Sequence, residues 1–265
     1  MRLQVFLYDT FRRHARMFVE PAIVHTWRKS QEVMLHQLSQ DNKVILGGDM
    51  RADSPGHCAK YGSYTMMDLN TNTIVDLQLV QSNEVGGSSY MEKEGLKRSL
   101  SLLGARGVTI DCIVTDRHPQ IQKFLREENI TQFYDVWHME KGTPAFYNLE
   151  KELTKKTVLK DIAKLSPHYQ TSSLEAFHSV ILRFAPKNVV YPYLGMLCRL
   201  YLAALHYNEN ADRGQATTSS WDPRFKLSFP KSRKGECRAR PVKTDATFRN
   251  FIFFLSLKHK HLHCT

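Results

Sequence analysis

Three acidic residues stand where this chain could do chemistry at phosphorus. Asp49 follows the apolar run Val44-Ile45-Leu46 and the pair Gly47-Gly48, Asp116 follows the run from Val108 to Thr115, and Glu175 lies one turn into a helix that begins near Ser172. Taken singly, each is an ordinary strand-end or helix-start residue. Taken together they outline an all-oxygen pocket, provided that the strands ending in Asp49 and Asp116 are neighbours and the Glu175 helix packs beside their ends. Hard divalent cations such as Mg²⁺ and Mn²⁺ take such ligands and keep water and phosphate oxygens for the rest of their shell. Two such ions ~4 Å apart activate a nucleophile and stabilise the leaving oxygen of an in-line displacement.

Several neighbours carry a second tier of candidates. Asp53 lies four residues past Asp49 in a Pro/Gly-containing loop and either substitutes for Asp49 or assists it. His138, in Asp135-Val136-Trp137-His138, has three readings: support for a metal-bound carboxylate, a phosphate contact, or a hydrogen-bonded strand-end histidine. His178 follows Glu175 by three residues and shares its helix face, where it orients the glutamate or simply packs. Arg117 and His118 follow Asp116 and either reach a phosphate or sit exposed in a loop. The group His259, His261, His263 and Cys264 lacks a partner pair at zinc spacing and is not read as a metal site.

The elements that must position these residues follow from hydrophobic period. Helices are predicted near 8–17 and 26–38, then a buried strand from Val44 that stops at Asp49. Two strands, 62–69 and 73–80, are joined by the turn Asn70-Thr71-Asn72 as a hairpin. A helix over 88–106, a strand over 108–115, a helix opened by Pro119 and a short strand over 130–134 complete the order strand, strand, strand, helix, strand, helix, strand. Three antiparallel strands followed by helix–strand alternation predict an α/β fold, a mixed five-stranded sheet flanked by helices as in the ribonuclease H-like fold. Residues 141–170 read as polar helix, Ser172-Ser173 as the cap of the Glu175 helix, and 193–207 as a buried apolar helix. The predicted organisation is a helical segment over 1–42, a catalytic core over 43–210 and an irregular basic arm over 211–265.

Charge is unevenly placed. The chain has 265 residues and a net charge of +11, and its hydrophobic share of 42% excludes a disordered or collagen-like composition. Residues 49–212 carry 18 Lys/Arg against 19 Asp/Glu, whereas residues 213–265 carry 12 against 3. A cationic segment of that density, with Lys231, Arg233, Lys234, Arg238 and Arg240 at its centre, suits a phosphate backbone. The bland alternative is a solvated basic tail. No apolar run approaches the ~20 residues of a membrane span, and five scattered cysteines give no disulfide framework, so an intracellular protein without a membrane partner is expected. No small-molecule substrate is expected either.

The segments 48–62, 114–121, 135–138 and 172–179 together resemble the cut-and-paste DDE transposases, and within them the Kolobok-like, transposon-derived proteins of fish type. The resemblance covers roughly residues 43–245, and the four motifs occur in the family's order. It implies that Asp49, Asp116 and Glu175 hold two catalytic Mg²⁺ or Mn²⁺ ions and that Asp135 and His138 form the family's Asp-x-x-His element. It also implies a DNA substrate, a homo-oligomer and nuclear residence, with Lys231-Ser232-Arg233-Lys234 as a weak import signal. Two departures stand out. Only 48 residues, none of them cysteine, precede Asp49, and only 37 positions separate His138 from Glu175, where the family has a long helical insertion. The chain is thus expected to be truncated and internally shortened. Three readings follow: a transposase core, a non-catalytic derivative that binds nucleic acid or another partner, and a ribonuclease H-type nuclease.

Overall fold

The computed structural model describes residues 7–53, 59–135, 162, 164–166, 169–229 and 236–249. The chain divides into two units, Met1–Tyr207 and Asn208–Thr265. In the first unit, a five-stranded sheet has the order β3-β2-β1-β4-β5, formed by β1 (Ile45–Ala52), β2 (Tyr61–Asp68), β3 (Thr73–Gln81), β4 (Cys112–Thr115) and β5 (Thr131–Tyr134). β2 runs antiparallel to β1 and β3, whereas β4 is parallel to β1 and β5 is parallel to β4. The helices are α1 (Tyr8–His14), α2 (Glu20–Gln40), α3 (Met91–Ala105), α4 (Pro119–Glu127), α5 (Ser172–Phe184) and α6 (Tyr193–Glu209). Among the described residues, no helix is long and apolar enough to cross a membrane.

The pleat of β1 sorts its side chains between two layers. On one face Leu46 joins a core of Leu35 and Leu38 from α2, Tyr64 and Met66 from β2, Leu96 and Leu103 from α3, and Ile121 and Phe124 from α4. On the other face, a methyl group at Gly47 would lie 2.8 Å from Leu69 and 3.0 Å from Leu174 of α5, so that helix covers the Gly47–Asp49–Arg51 side. Tyr64 fixes how closely the first layer approaches. A side chain at Gly95 of α3 would come within 2.4 Å of Tyr64 Cβ, and one at Gly48 within 2.2 Å of its hydroxyl. Glycine at both positions lets α3 and β1 close on the ring. Gln31 of α2 and Ser99 of α3 both donate to buried Asp76 of β3, which ties the two helices to the sheet edge.

Several elements differ from their sequence readings. The 26–38 helix extends over Glu20–Gln40 and buries Ile23 and Trp27, whose ring stacks on Tyr201 at 5.2 Å, and the 1–42 segment falls within the first unit. β1 continues past Asp49 to Ala52, because β2 pairs with it from Asp68 back to Gly62. β4 is confined to Cys112–Thr115. The cap position of α5 is Thr171, without a side-chain capping bond, rather than Ser172-Ser173. The basic arm is not wholly irregular: β6 (Phe225–Ser228) and β7 (Arg238–Pro241) pair antiparallel within it. The predicted 141–170 helix lies outside the described residues apart from 162, 164–166 and 169–170.

Candidate active site

Asp49 and Asp116 meet through strand register. β1 and β4 pair in parallel over Ile45–Cys112, Leu46–Ile113 and Gly47–Val114, and continuing that register sets position 49 level with position 116. There β4 has ended, while β1 continues against β2, with Asp49 opposite Thr65. The crevice outside the carboxyl end of a parallel strand, beside such a change in pairing, is where open α/β sheets bind ligands. Glu175 lies in the first turn of α5 on the Asp49 side of the sheet, half-buried like Asp49 and Asp116.

The three acids share an electrostatic environment. Asp49 is raised from 3.8 to about 7, chiefly by burial and then by the Asp116 charge, with Glu92 and Glu175 adding to it. Only the Met50 N–H, donating to Asp49 Oδ1 at 2.7 Å, acts the other way. Glu92, in the first turn of α3, is itself raised by burial, lowered by His118 and raised again by Asp116. His118 Nδ1 stands 4.0 Å from its carboxylate. The Tyr64 hydroxyl adds a buried polar atom without a hydrogen-bond partner. Burial, then Glu92, Asp49 and Asp116, hold that phenol well above its usual range. A half-buried cluster of oxygen donors with net negative charge fits a hard divalent cation in donor type and in sign. The side chains themselves are not closed around one: among the described residues, no three His, Cys, Asp or Glu side chains are arranged to hold an ion.

The fold is ribonuclease H-like. The strand order 3-2-1-4-5, with only β2 reversed, decides this, and the acids occupy the ends that the order brings together. No protein-family model matches the chain, and no curated protein matches it. Among solved structures, the chain is similar to the catalytic core domain of the HTLV-2 integrase, described in a trimeric form in complex with magnesium. That similarity is 17% in sequence, covers 57% of this chain and 90% of the other, and has a TM-score of 0.27.

A ring of supporting bonds anchors the carboxylate cluster. His178 Nδ1 lies 3.5 Å from Asp49 Oδ2, and Nε2 lies 3.4 Å from Thr65 Oγ1. Burial, followed by the charges of Arg51 and Lys187, lowers His178 to about 4, so the ring is neutral at pH 7. An Nδ1 proton directed at Asp49 leaves Nε2 to accept from Thr65. His178 therefore supports Asp49, whereas sequence spacing had paired it with Glu175. The Arg51 guanidinium donates to the His178 carbonyl at 2.6 Å and pairs with Asp53 at 2.7 Å, fastening α5 to β1. Asp53 also accepts from Ser63 Oγ. Its carboxylate is committed to those partners, which makes it a strut beside Asp49. Asp135 accepts from the backbone N–H and hydroxyl of Thr171, the cap position of α5, and so sets where Glu175 starts.

The remaining candidates are distributed more widely. Arg117 is exposed beside Asp116, and Arg238 and Arg240 are exposed on β7 of the second unit. His138, Lys231, Arg233 and Lys234 lie outside the described residues, as does the 259–264 group. Sequence reasoning missed Glu92 and Tyr64. Glu92 sits in Met91-Glu92-Lys93-Glu94, where an acid reads simply as a favourable charge at a helix N-terminus. Tyr64 reads as one more aromatic in a strand. The pairing of β1 with β2 sets Tyr64 opposite Met50, next to Asp49, and the packing of α3 on the sheet brings Glu92 there.

Proposed function

We propose that the chain is the catalytic core of a DNA transposase of the DDE type, Kolobok-like in its motifs, that cleaves and joins phosphodiesters with divalent metal ions. The observation that carries this reading is the Asp49 carboxylate, level with Asp116 beside the end of β4 and raised to about 7 by burial and by three neighbouring acids. Asp49, Asp116 and Glu175 would hold two Mg²⁺ or Mn²⁺ ions. Ions bound there activate water or a 3′-hydroxyl and offset charge on the leaving oxygen. His178 keeps Asp49 oriented, Asp135 keeps the α5 terminus in place, and Arg117 stands exposed beside Asp116. A DNA substrate, a homo-oligomer and nuclear residence belong to the same reading.

The test is nicking of duplex DNA by the full chain with Mg²⁺ or Mn²⁺, abolished in Asp116→Asn. Metal-independent DNA binding without nicking above background overturns it. One observation favours a second reading, a non-catalytic transposase derivative that binds nucleic acid: the described acids are not closed around a common ion position. Isothermal titration with Mn²⁺ separates the two, because the catalytic reading requires heat of binding that Asp49→Asn removes.

A further inference from the structure

The second unit presents a surface that the carboxylate site does not use. In β6 and β7, Phe225 stands opposite Pro241, Lys226 opposite Arg240, Leu227 opposite Ala239 and Ser228 opposite Arg238. The Val242 N–H donates to the Arg224 carbonyl at 2.9 Å, which carries the pairing one residue further. Opposed residues of an antiparallel pair share a face, and successive residues alternate between faces. The ribbon is therefore two-sided. Arg224, Lys226, Arg238 and Arg240 lie on one face, and Phe225, Leu227, Ala239 and Pro241 lie on the other; all eight are exposed. Asp222 and Glu236 flank the ribbon outside its paired strands.

We propose that this basic face is a sequence-independent contact for the phosphate backbone of duplex DNA. Charge complementarity selects a polyanion, since residues 213–265 carry 12 Lys/Arg against 3 Asp/Glu. Face sorting selects the duplex. Proteins that hold a single strand combine cations along its backbone with aromatic rings stacked on its bases. Within the paired strands the aromatic residue, Phe225, is on the face opposite the cations, so a single strand lying on the ribbon does not meet both there. A duplex buries its bases and offers phosphates to a cationic ribbon without requiring a ring. The proposal shares its substrate class with the transposase reading but rests on different residues.

The experiment is fluorescence anisotropy of the full chain with a labelled duplex of arbitrary sequence and with the matching single strand. It is run in EDTA across about 50–200 mM salt. Four neutralised phosphates give a slope of log K against log salt of about −3.6, a loss of about 150-fold over that range. The variant R224Q/K226Q/R238Q/R240Q is expected to flatten the slope by about 3.6, while R224K/R238K/R240K preserves it. Three results overturn the proposal: a wild-type slope clearly shallower than −3.6, an unchanged slope in a glutamine variant with native circular dichroism, or tighter binding of the single strand. If the glutamine variant misfolds, the wild-type slope and strand preference still decide. Asp116→Asn tells the two ideas apart. Its nicking depends on the carboxylate site, and its salt slope depends on the ribbon.

Discussion

Replacing Asp49 by asparagine should stabilise the protein at neutral pH while removing the chemistry proposed for it. The carboxyl titrates near 7 in the fold against 3.8 as the unperturbed value, because burial and the charges of Asp116, Glu92 and Glu175 all oppose its ionisation. Between pH ~4 and ~7 the folded chain keeps a proton that the unfolded chain has released, so stability falls as pH rises through that window and levels off above it. The gap corresponds to about 4 kcal/mol at pH 8. Asparagine has no charge to bury and retains the oxygen that accepts from Met50 N–H. Wild type and variant should therefore have equal stability near pH 4 and diverge upward, with the variant ahead by about 4 kcal/mol at pH 8. For a unit of this size that is a Tm difference of about 8–16 °C.

Thermal melts followed by circular dichroism in EDTA, from pH 4 to pH 8, measure this divergence directly. Repeating them with Mn²⁺ tests the second half of the argument. Wild type should gain about 2.7 kcal/mol at a hundredfold excess over Kd, and the variant should gain far less. A stability difference that does not change with pH, or a variant less stable than wild type at pH 8, would show that Asp49 is compensated by a partner. That outcome refutes the idea of a repelling acid cluster awaiting a cation.

Three further perturbations probe the surroundings. Gly48→Ala should cost about 1–3 kcal/mol in urea unfolding, because the new methyl would lie 2.2 Å from the Tyr64 hydroxyl; Tyr64→Phe in the same chain should recover part of the loss, and a strictly additive double mutant contradicts the clash. Glu92→Gln removes one of the charges acting on Asp49, so the Asp49 carboxyl should titrate lower in a carbon-detected NMR series, and an unmoved curve takes Glu92 out of the site. Asp135→Ala leaves the Thr171 N–H and hydroxyl without their acceptor, at about 1–3 kcal/mol per orphaned donor, and should depress nicking through Glu175; a loss below about 0.5 kcal/mol dismisses Asp135 as the pin of α5.

The sheet was legible because its strands are short apolar runs bounded by turn residues, and Asn70-Thr71-Asn72 joins β2 to β3 as read. What eluded local pattern was supplied by partners distant in sequence. β1 continues beyond Asp49 because β2 pairs with Met50, Arg51 and Ala52, and no alternation of side chains within β1 announces that. Arg51 reads as a surface cation until Asp53 and the His178 carbonyl take it into the interior. β6 and β7 lie in a stretch full of Gly, Pro and Arg, where turn chemistry outweighs the weak alternation of Phe225-Lys226-Leu227-Ser228. Glu92 reaches the site only because Gly95 and Gly48 admit Tyr64 between α3 and β1.

The same division explains how a convergent backbone and an unclosed set of side chains coexist at the site. Strand register sets positions 49 and 116 level, and the Thr171–Asp135 and Arg51–His178 bonds fix α5, so the backbone geometry does not depend on a ligand. The carboxylates obey a different balance. Two like charges 4 Å apart repel by about 4 kcal/mol at an effective dielectric of about 20, whereas moving a side chain some 30° off its rotamer costs about 0.5–1.5 kcal/mol. Acids held near one another without a cation are better served by standing apart than by converging. A divalent ion reverses the sign of that balance, and rotamer changes are then a small fraction of the attraction. The decisive question for activity is therefore whether Asp116 and Glu175 close with Asp49 on one ion when Mn²⁺ binds. Paramagnetic broadening of both carboxyl signals together with that of Asp49 would answer yes; broadening of Asp49 alone would leave a single-acid cation contact and favour the non-catalytic reading.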